Sequence, residues 1–233
     1  MTGVVNINKP IGRSSHFAVA VIRRITKIKK VGHTGTLDPL ATGVLPICIG
    51  REATKLSQFI MDSQKEYRAV LKLGFSTTTQ DSEGEITSER KVECTKAEIE
   101  DAIKSFVGEI VQIPPMYSAI KINGKKLYEL ARKGVEVERE PRKVTIHYID
   151  ILNINEEENE AEIVIGCSKG TYIRTLCNDI GEKLGCGGYM KSLVRTKCGG
   201  FDIKDSITLE EFEELFKAGK AEEIIVPLQE IKK

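Results

Sequence analysis

Several residue types are rare or missing in this sequence, and each absence narrows the possible functions. There is no tryptophan, only three histidines occur among 233 residues, and the six cysteines are scattered without a Cys-x-x-Cys pair. The histidines lie far apart in the chain and match no zinc-ligand spacing. We therefore expect no metal site, and we expect the cysteines to be reduced thiols of a cytoplasmic protein that mostly fill its core.

Long apolar runs are missing as well. No segment approaches the ~18 apolar residues that a membrane-spanning helix needs, and the N-terminus, MTGVVNINKPIGRSS, has no apolar signal core. With 40% hydrophobic and 30% charged residues, the composition is that of a globular protein. We therefore expect neither a membrane contact nor secretion.

The charge is small in total but unevenly distributed. The formal net charge is +1, yet residues 1–60 contain nine Lys or Arg and only two acids. A strongly basic part favours a polyanionic partner. A solvated basic surface without any partner would give the same pattern, so charge alone leaves both interpretations open.

One motif in this basic part is unusual. It reads GHTGTLDPLATG (residues 32–43), and Asp38 is its only acid. An Asp before a Pro often caps a helix, because its side chain accepts a free N–H of the first turn and Pro39 needs no donor there. Glycine turns can instead present a single carboxylate for chemistry. The motif by itself is compatible with either role.

Runs rich in β-branched and aromatic residues predict strands at residues 43–50, 65–74, 143–154 and 160–168. Capping residues predict helices after Ser14, after Thr95 and after Thr208, and a further helix is predicted at residues 173–185. Strands and helices do not alternate regularly, which favours an α+β fold.

The first of these helices is amphipathic. Phe17, Val21, Ile25 and Ile28 recur at helical spacing between residues 14 and 30, so we expect them to form its buried stripe. The basic residues of the segment lie off that stripe.

Residues 114–143 differ from the rest of the chain. This segment, PPMYSAIKINGKKLYELARKGVEVEREPRK, combines a Pro-Pro turn, an Asn-Gly turn and many Lys and Arg. It has few large apolar residues outside a short helix near residues 127–131. The pattern predicts a protruding arm of the kind that often carries function, with an ordinary surface loop as the alternative.

Taken together, six segments resemble the TruB family, the tRNA pseudouridine-55 synthases of bacteria. They occur in the family's order and span nearly the whole chain. The segments are NKPIGRSS (8–15), GHTGTLDPLATGVLPICIGREATK (32–55), KEYRA (65–69), PPMYSAIKINGKKLYELARKG (114–134), GTYIRTL (170–176) and LVRTKCGGF (193–201).

The resemblance implies a single catalytic domain over residues 1–233, built on a mixed, mostly antiparallel sheet flanked by helices. Residues 114–143 would be the family's thumb, which protrudes and closes over RNA. The reaction would isomerise a uridine of the T loop of tRNA, at position 55, to pseudouridine, with no cofactor and no metal. The T-arm stem-loop of tRNA would be the partner, no protein partner would be required, and we expect a monomer.

The resemblance also assigns residues to the reaction. Asp38 matches the catalytic aspartate, Arg174 the arginine that pairs with it, and Tyr67 the tyrosine that lies against the target base. His33 matches the histidine that inserts into the T loop. A uridine in a loop leaves its stack at a cost of only a few kcal/mol, which favours base flipping there.

Four further residues would bind the substrate. Tyr172 and Leu193 match positions that line the base pocket. Asp81 matches a polar loop of the family, although an Asp before a Gly also suits a simple turn. Lys121 in the thumb could contact phosphate or only solvate the arm.

The sequence departs from the family at its C-terminal end. Bacterial members usually carry a further RNA-binding domain, whereas this chain stops at VPLQEIKK (226–233), so we expect no such domain. Two alternatives to a stand-alone enzyme stay open: a non-catalytic tRNA-binding or tRNA-folding chaperone module, and a guide-dependent enzyme like the dyskerin branch of the superfamily.

Overall fold

A computed structural model describes residues 1–122 and 124–231 of the chain. These residues form two compact units, one from residues 1–68 with the part from 193 onward, and one from residues 69–192. The predicted Asn-Gly turn includes Asn123, and the VPLQEIKK segment ends with Lys232 and Lys233, so these parts lie outside the described residues. Among the described helices, none has the length and apolar character to cross a membrane.

The strands, in chain order, are β1 (Gly3–Lys9), β2 (Val31–His33), β3 (Thr42–Ile49), β4 (Lys65–Leu73), β5 (Phe75–Thr77), β6 (Ile86–Glu89), β7 (Gly108–Gln112), β8 (Lys121–Ile122), β9 (Lys125–Lys126), β10 (Arg142–Asn155), β11 (Glu160–Cys167), β12 (Gly188–Cys198), β13 (Phe201–Asp202) and β14 (Ile225–Val226). The four predicted strands are confirmed as β3, β4, β10 and β11.

The helices are α1 (Ser15–Thr26), α2 (Arg51–Lys55), α3 (Ser57–Asp62), α4 (Lys96–Lys104), α5 (Leu127–Ala131), α6 (Ile173–Lys183), α7 (Leu209–Lys217) and α8 (Leu228–Ile231). Both predicted capping boxes are present, at the starts of α4 and α7. The predicted fold class is confirmed, because the chain forms a mixed, mostly antiparallel sheet flanked by helices.

In the first unit, the strand order is β14-β1-β3-β12. β1 and β3 are antiparallel and pair along their whole length, from Gly3 opposite Ile49 to Lys9 opposite Gly43. β12 joins β3 in parallel at Val194 and Arg195. Nearly every residue of β1 and β3 is buried, which explains why the GVLPICI run is continuously apolar rather than alternating.

The buried face of helix α1 differs from the predicted one. Ser14 caps it as predicted, by accepting the N–H of Phe17, but the helix ends at Thr26 because Lys27 adopts a left-handed conformation. The predicted stripe is wrong: Phe17 is 38% exposed, and the helix buries Ser15, Ala18, Val19 and Ile22 instead. The buried face follows Ser15, whose hydroxyl exchanges hydrogen bonds with the backbone of Leu37.

The second unit includes β4 from residue 69 onward, and β4, β11, β10 and β7 are neighbours in that order. β10 pairs antiparallel with both β11 and β7, and α4 packs against β10 and α6. Helix α6 comes so close to the start of β12 that a Cβ on Gly181 would lie 2.1 Å from the backbone nitrogen of Gly188. Gly181 therefore sets how closely α6 can pack, and α6 carries Arg174 in its first turn.

This close approach predicts the effect of Gly181→Ala. Alanine should gain about 1 kcal/mol of helix propensity, but overpacking against a fixed backbone should cost more, so we expect a net loss of about 2 kcal/mol. Urea denaturation measures the change. The control is Gly200→Ala, because a Cβ on Gly200 meets nothing within 4 Å, and it should change stability by less than about 0.5 kcal/mol. Equal stability of both variants would contradict the packing described.

Candidate active site

Asp38 lies in the loop between β2 and β3, with its residue half-buried. Its backbone carbonyl accepts the N–H of Ala41 at 3.0 Å, which closes a four-residue turn leading directly into β3. No helix begins at Pro39, so the interpretation of Asp38 as a helix cap is wrong. The turn gives the carboxylate a defined position without using it as a helix cap.

The last residue of β1 and the first residue of α1 hold this turn. Lys9 is fully buried, and its ammonium donates to the carbonyls of Pro10 at 2.8 Å, Arg13 at 2.5 Å and Pro39 at 3.2 Å. On the other side of Asp38, the Ser15 hydroxyl donates to Leu37 O at 3.1 Å and accepts from Leu37 N at 2.9 Å. Both residues that flank Asp38 in the sequence are therefore held by hydrogen bonds to buried side chains.

Sequence reasoning did not single out Lys9. One signal was available, since Lys9 is the only charged residue in β1 and stands within the matching NKPIGRSS segment. A charge that interrupts a buried strand needs partners, because an unpaired buried ammonium is very costly. Here those partners are two carbonyls of the turn after β1 and one carbonyl of the loop that carries Asp38.

Arg195 anchors the same loop from β12, and it too was missed. It is almost completely buried, and it donates from Nε to Val44 O at 2.7 Å and from Nη2 to Gly35 O at 3.2 Å. Gly43 lies against its backbone with φ +98°, where a Cβ would be 2.3 Å from Arg195 O. The last glycine of the GHTGTLDPLATG motif is thus required by a close approach. Leu193, a predicted pocket residue, is buried on the same strand.

His33 ends β2 and is held in the neutral form. Its ring meets that of His16 edge to face, with centroids 5.1 Å apart. The pKa of His33 is lowered to about 4, mainly by burial and in addition by the charges of the neighbouring His16 and Arg195. The N–H of Gly35 donates to Nδ1 at 3.3 Å, so the neutral ring carries its proton on Nε2.

The remaining predicted residue of the first unit is Tyr67, which lies partly buried in β4. Its neighbour Glu66 accepts from Thr196 Oγ1 at 2.8 Å and from Lys197 Nζ at 3.0 Å. These two bonds tie the first residues of β4 to the last residues of β12. The first unit thus contains Asp38, His33, Tyr67 and Leu193.

The second unit contains the other four predicted residues. Arg174 is 5% exposed and Asp81 is 2% exposed, and they form an ion pair with Nη1 and Oδ2 3.4 Å apart. Arg174 also donates from Nη2 to Tyr117 O at 2.5 Å. Asp81 is therefore more than a turn residue, because it orients the arginine that the resemblance assigns to the reaction.

Further hydrogen bonds hold the Asp81 side chain and the start of α6. Oδ1 of Asp81 accepts from the Thr79 hydroxyl and from Glu83 N. Gln112, which is buried, donates to Tyr172 O at 3.2 Å and accepts from Tyr172 N at 3.0 Å. Gln112 was not predicted, and it fixes the backbone of Tyr172 just before Arg174. The predicted pairing of Arg174 with Asp38 and the substrate contacts of Asp81 stay predictions.

The basic segment 114–143 belongs to the second unit. Lys121 is exposed on β8 and lies opposite Lys126 of β9. The predicted short helix is confirmed as α5 and is anchored by the fully buried Leu127. Lys126 and Arg132 place their cationic groups 5.3 and 5.4 Å from the centroid of the Tyr128 ring. The segment presents cations beside an aromatic ring, a combination suited to nucleic acid.

Sequence comparisons identify the family. Residues 23–173 match the N-terminal domain of the TruB family pseudouridylate synthases. The chain belongs to this family. Residues 174–231 match a domain described as the tRNA pseudouridylate synthase B C-terminal domain.

Close relatives cover nearly the whole chain. The tRNA pseudouridine synthase B of Alkaliphilus oremlandii is 56% identical over 98% of this chain and 74% of its own length. That of Clostridium tetani is 53% identical over 98% of this chain and 77% of its own length. That of Pseudomonas fluorescens is 50% identical over 96% of this chain and 72% of its own length.

Solved structures agree with the TruB assignment. A chain of a Cbf5–Nop10–Gar1 complex is 32% identical with a TM-score of 0.77, and covers 98% of this chain and 61% of its own length. A chain of an H/ACA RNP bound to a substrate RNA is 29% identical with a TM-score of 0.73 over 98% and 60% of the two chains. The TruB-family chain thus spans about three fifths of these longer proteins and shares their fold.

The buried ammonium of Lys9 generates the first prediction for this site. Lys9→Met keeps the side-chain volume but leaves the carbonyls of Pro10, Arg13 and Pro39 without this donor, so we expect a loss of about 3 kcal/mol of stability. Chemical denaturation measures it. Lys29→Met, at an exposed lysine, is the matched control. A Lys9→Met protein as stable as the control would show that the ammonium does not hold the loop.

The lowered pKa of His33 predicts a pH-dependent stability. Between pH 6.5 and about 4 the unfolded chain binds a proton at His33 and the folded chain does not, so stability falls as the pH falls through this window. His33→Gln removes this contribution. The variant should therefore lose less unfolding free energy than the wild type between pH 7 and pH 4.5, as measured by urea denaturation. His147→Gln, at an exposed histidine of β10, is the control and should follow the wild type. Parallel profiles of wild type and His33→Gln would contradict the buried, neutral ring.

Proposed function

We propose that this chain isomerises a uridine in the T loop of tRNA, at position 55, to pseudouridine, with Asp38 as the catalytic carboxylate. One observation carries the assignment of Asp38. Its half-buried turn is fixed on both sides, by Lys9 through Pro39 and by Ser15 through Leu37. The relatives named tRNA pseudouridine synthase B, at 50 to 56% identity, support the reaction and the substrate.

The chemistry needs a single carboxylate in a held position. Breaking the N1–C glycosidic bond leaves an electron-poor sugar carbon, and the detached base rotates. C5 of the base then bonds to that carbon and loses its proton, while N1 takes up a proton, so that the atoms of the product equal those of the substrate. A carboxylate at the sugar can act as nucleophile, as base or as electrostatic stabiliser. The reaction is an isomerisation and consumes no cofactor.

Arg174 has the role of keeping Asp38 ionised. A guanidinium beside a carboxylate favours its charged form where water is excluded. Asp81 and the carbonyl of Tyr117 orient the Arg174 side chain within the second unit, which supports this role. Asp81 thereby contributes to the reaction as a positioning residue.

The remaining predicted site residues contact the RNA. Tyr67, Tyr172 and Leu193 contact the flipped base, and His33 enters the T loop. A ring held neutral is suited to that place, because an uncharged imidazole loses less hydration than an imidazolium when it enters stacked bases. The lowered pKa of His33 supports this role.

The cations of residues 114–143 contact the phosphates of the T arm. Lys121 is exposed in this segment, and Lys126 and Arg132 flank Tyr128. Each true phosphate contact should add ~0.7 to the slope of log affinity against log salt for single-stranded RNA. The enzyme acts alone in the cytoplasm as a monomer. The 56% identity to a relative named tRNA pseudouridine synthase B exceeds the 32% identity to a chain of a Cbf5–Nop10–Gar1 complex, which supports independence from a guide RNA.

The decisive test compares the wild type with Asp38→Asn. Release of tritium from tRNA carrying 5-³H uridine should fall by more than about a thousandfold in the variant, while a separate titration should show retained tRNA binding. Asp150→Asn, at an exposed aspartate of β10, is the control and should keep full activity. Tight tRNA binding without tritium release by the wild type would instead support a non-catalytic tRNA-binding module.

A further inference from the structure

Two of the six cysteines are in contact in the second unit, near the end of α6 that lies opposite Arg174. The thiols of Cys94 and Cys186 share a hydrogen bond. Cys94 directly precedes Thr95, which caps the start of α4, and Cys186 lies just beyond the end of α6. All six cysteines are free thiols, so this pair is a dithiol.

Backbone hydrogen bonds hold together the two segments that carry these thiols. Gly74, between β4 and β5, accepts the N–H of Arg90 at 2.8 Å and donates its own N–H to Gly187 O at 3.2 Å. The Arg90 side chain extends in the same direction, and its Nη1 donates to Gly185 O at 3.3 Å. These bonds place the chain just before α4 beside the chain just after α6, so the contact between the two thiols is built into the fold of the second unit.

The two thiols differ in their exposure. Cys186 is 3% exposed, and its Sγ also donates to Gly187 O at 3.5 Å. Cys94 is only partly buried and lines a pocket of about 600 Å³, together with Lys183 and Leu184. A small molecule in solution can therefore reach Cys94, whereas Cys186 is covered.

This difference sets the order in which the thiols react. The thiolate is the form of cysteine that attacks an oxidant. The pKa of Cys186 is raised to about 11, mainly by burial and in addition by the neighbouring Cys94, so Cys186 stays protonated. Cys94 is therefore the thiol that reacts first, and Cys186 is the thiol placed to react with its product.

Two thiols in contact can contribute to a metal site or form a disulfide. A structural zinc site takes four ligands, and in the described part of the chain no group of three or more His, Cys, Asp or Glu side chains is placed to hold a metal ion. A disulfide needs only the two thiols and an oxidant. Disulfide formation is therefore the chemistry that this pair supports by itself.

We propose that Cys94 and Cys186 are a redox modification site, at which a peroxide converts the dithiol into a reversible disulfide. The disulfide joins the start of α4 to the end of α6, the helix that carries Arg174. Because such a bond restricts the unfolded chain, it stabilises the second unit under oxidising conditions. The site is separate from the residues proposed to act on tRNA.

The reaction has two steps. The Cys94 sulfur attacks hydrogen peroxide, the O–O bond breaks, a sulfenic acid forms on Cys94, and one water leaves. The Cys186 sulfur then attacks the Cys94 sulfur, an S–S bond replaces the S–O bond, and the Cys186 proton leaves with the hydroxyl group as a second water. In total, two thiols lose two electrons and two protons to the peroxide, which becomes two waters.

Treatment of the whole chain with hydrogen peroxide, followed by thiol titration in denaturant, tests the proposal. The number of titratable thiols should fall from six to four, and dithiothreitol should restore the lost two. Tryptic digestion without reductant should then yield residues 92–96 joined to residues 184–191, two hydrogen masses below the sum of the separate peptides. An unchanged thiol count, or a disulfide that links either residue to a different cysteine, would overturn the proposal.

Variants separate the two steps. In Cys186→Ala the sulfenic acid on Cys94 has no partner thiol, so dimedone should label Cys94 strongly, whereas the wild type should give little adduct. Cys94→Ala should keep all of its thiols. Cys48→Ala, at a fully buried cysteine of β3, is the control and should lose two thiols as the wild type does. Equal dimedone labelling of Cys94 in the wild type and in Cys186→Ala would show that Cys186 does not form the disulfide.

Discussion

The loop that carries Asp38 depends on the hydrogen bonds that the buried ammonium of Lys9 donates to three backbone carbonyls. A charge removed from water is tolerated only when its donors are satisfied, and here three carbonyls from two separate segments satisfy them. The end of β1, the turn after it and the turn of Asp38 must therefore converge. The pairing of Lys9 with Gly43 at the last register position of β1 and β3 makes that convergence possible. The position of the Asp38 carboxylate, which we propose to be catalytic, in this way depends on the register of a sheet.

Two buried arginines also hold segments that carry predicted site residues, each through different partners. Arg195 acts through its hydrogen bonds to carbonyls on either side of the loop, and it also contributes to keeping His33 neutral. Arg174 is paired with a carboxylate, Asp81, that is itself held by neighbouring hydrogen bonds. A buried ion pair adds little net stability, but it restricts geometry, because breaking it leaves an uncompensated charge. Each buried cation thus limits the conformations of a segment that the proposed reaction uses.

The net charge of the chain is near zero, but its basic and acidic residues are concentrated in different parts of the chain. Basic residues concentrate in residues 1–60 and in the segment around Lys121, where RNA is proposed to bind. Carboxylates line a cavity in the first unit, at Asp202, Asp205, Glu222, Glu223 and Glu230. Separation of charge lets the basic part of the protein attract a polyanion although the net charge of the chain is near zero. Glu211 has a local role, as the glutamate of the α7 capping box.

Local structure was determined by the sequence itself. The apolar run of β3, the β-branched runs of β10 and β11 and the Thr-Glu capping boxes act through chain neighbours, so their patterns predicted strands and helix starts correctly. The six family segments likewise pointed to Asp38 and Arg174. Tertiary structure alone decided that Asp38 stands in a turn rather than at a helix cap, and that α1 buries Ser15 rather than Phe17. It alone joined Arg174 to Asp81, 93 residues away, and Lys9 to Pro39, 30 residues away. Such partners are selected by sheet register and burial, which bring distant residues together and are invisible in any local pattern.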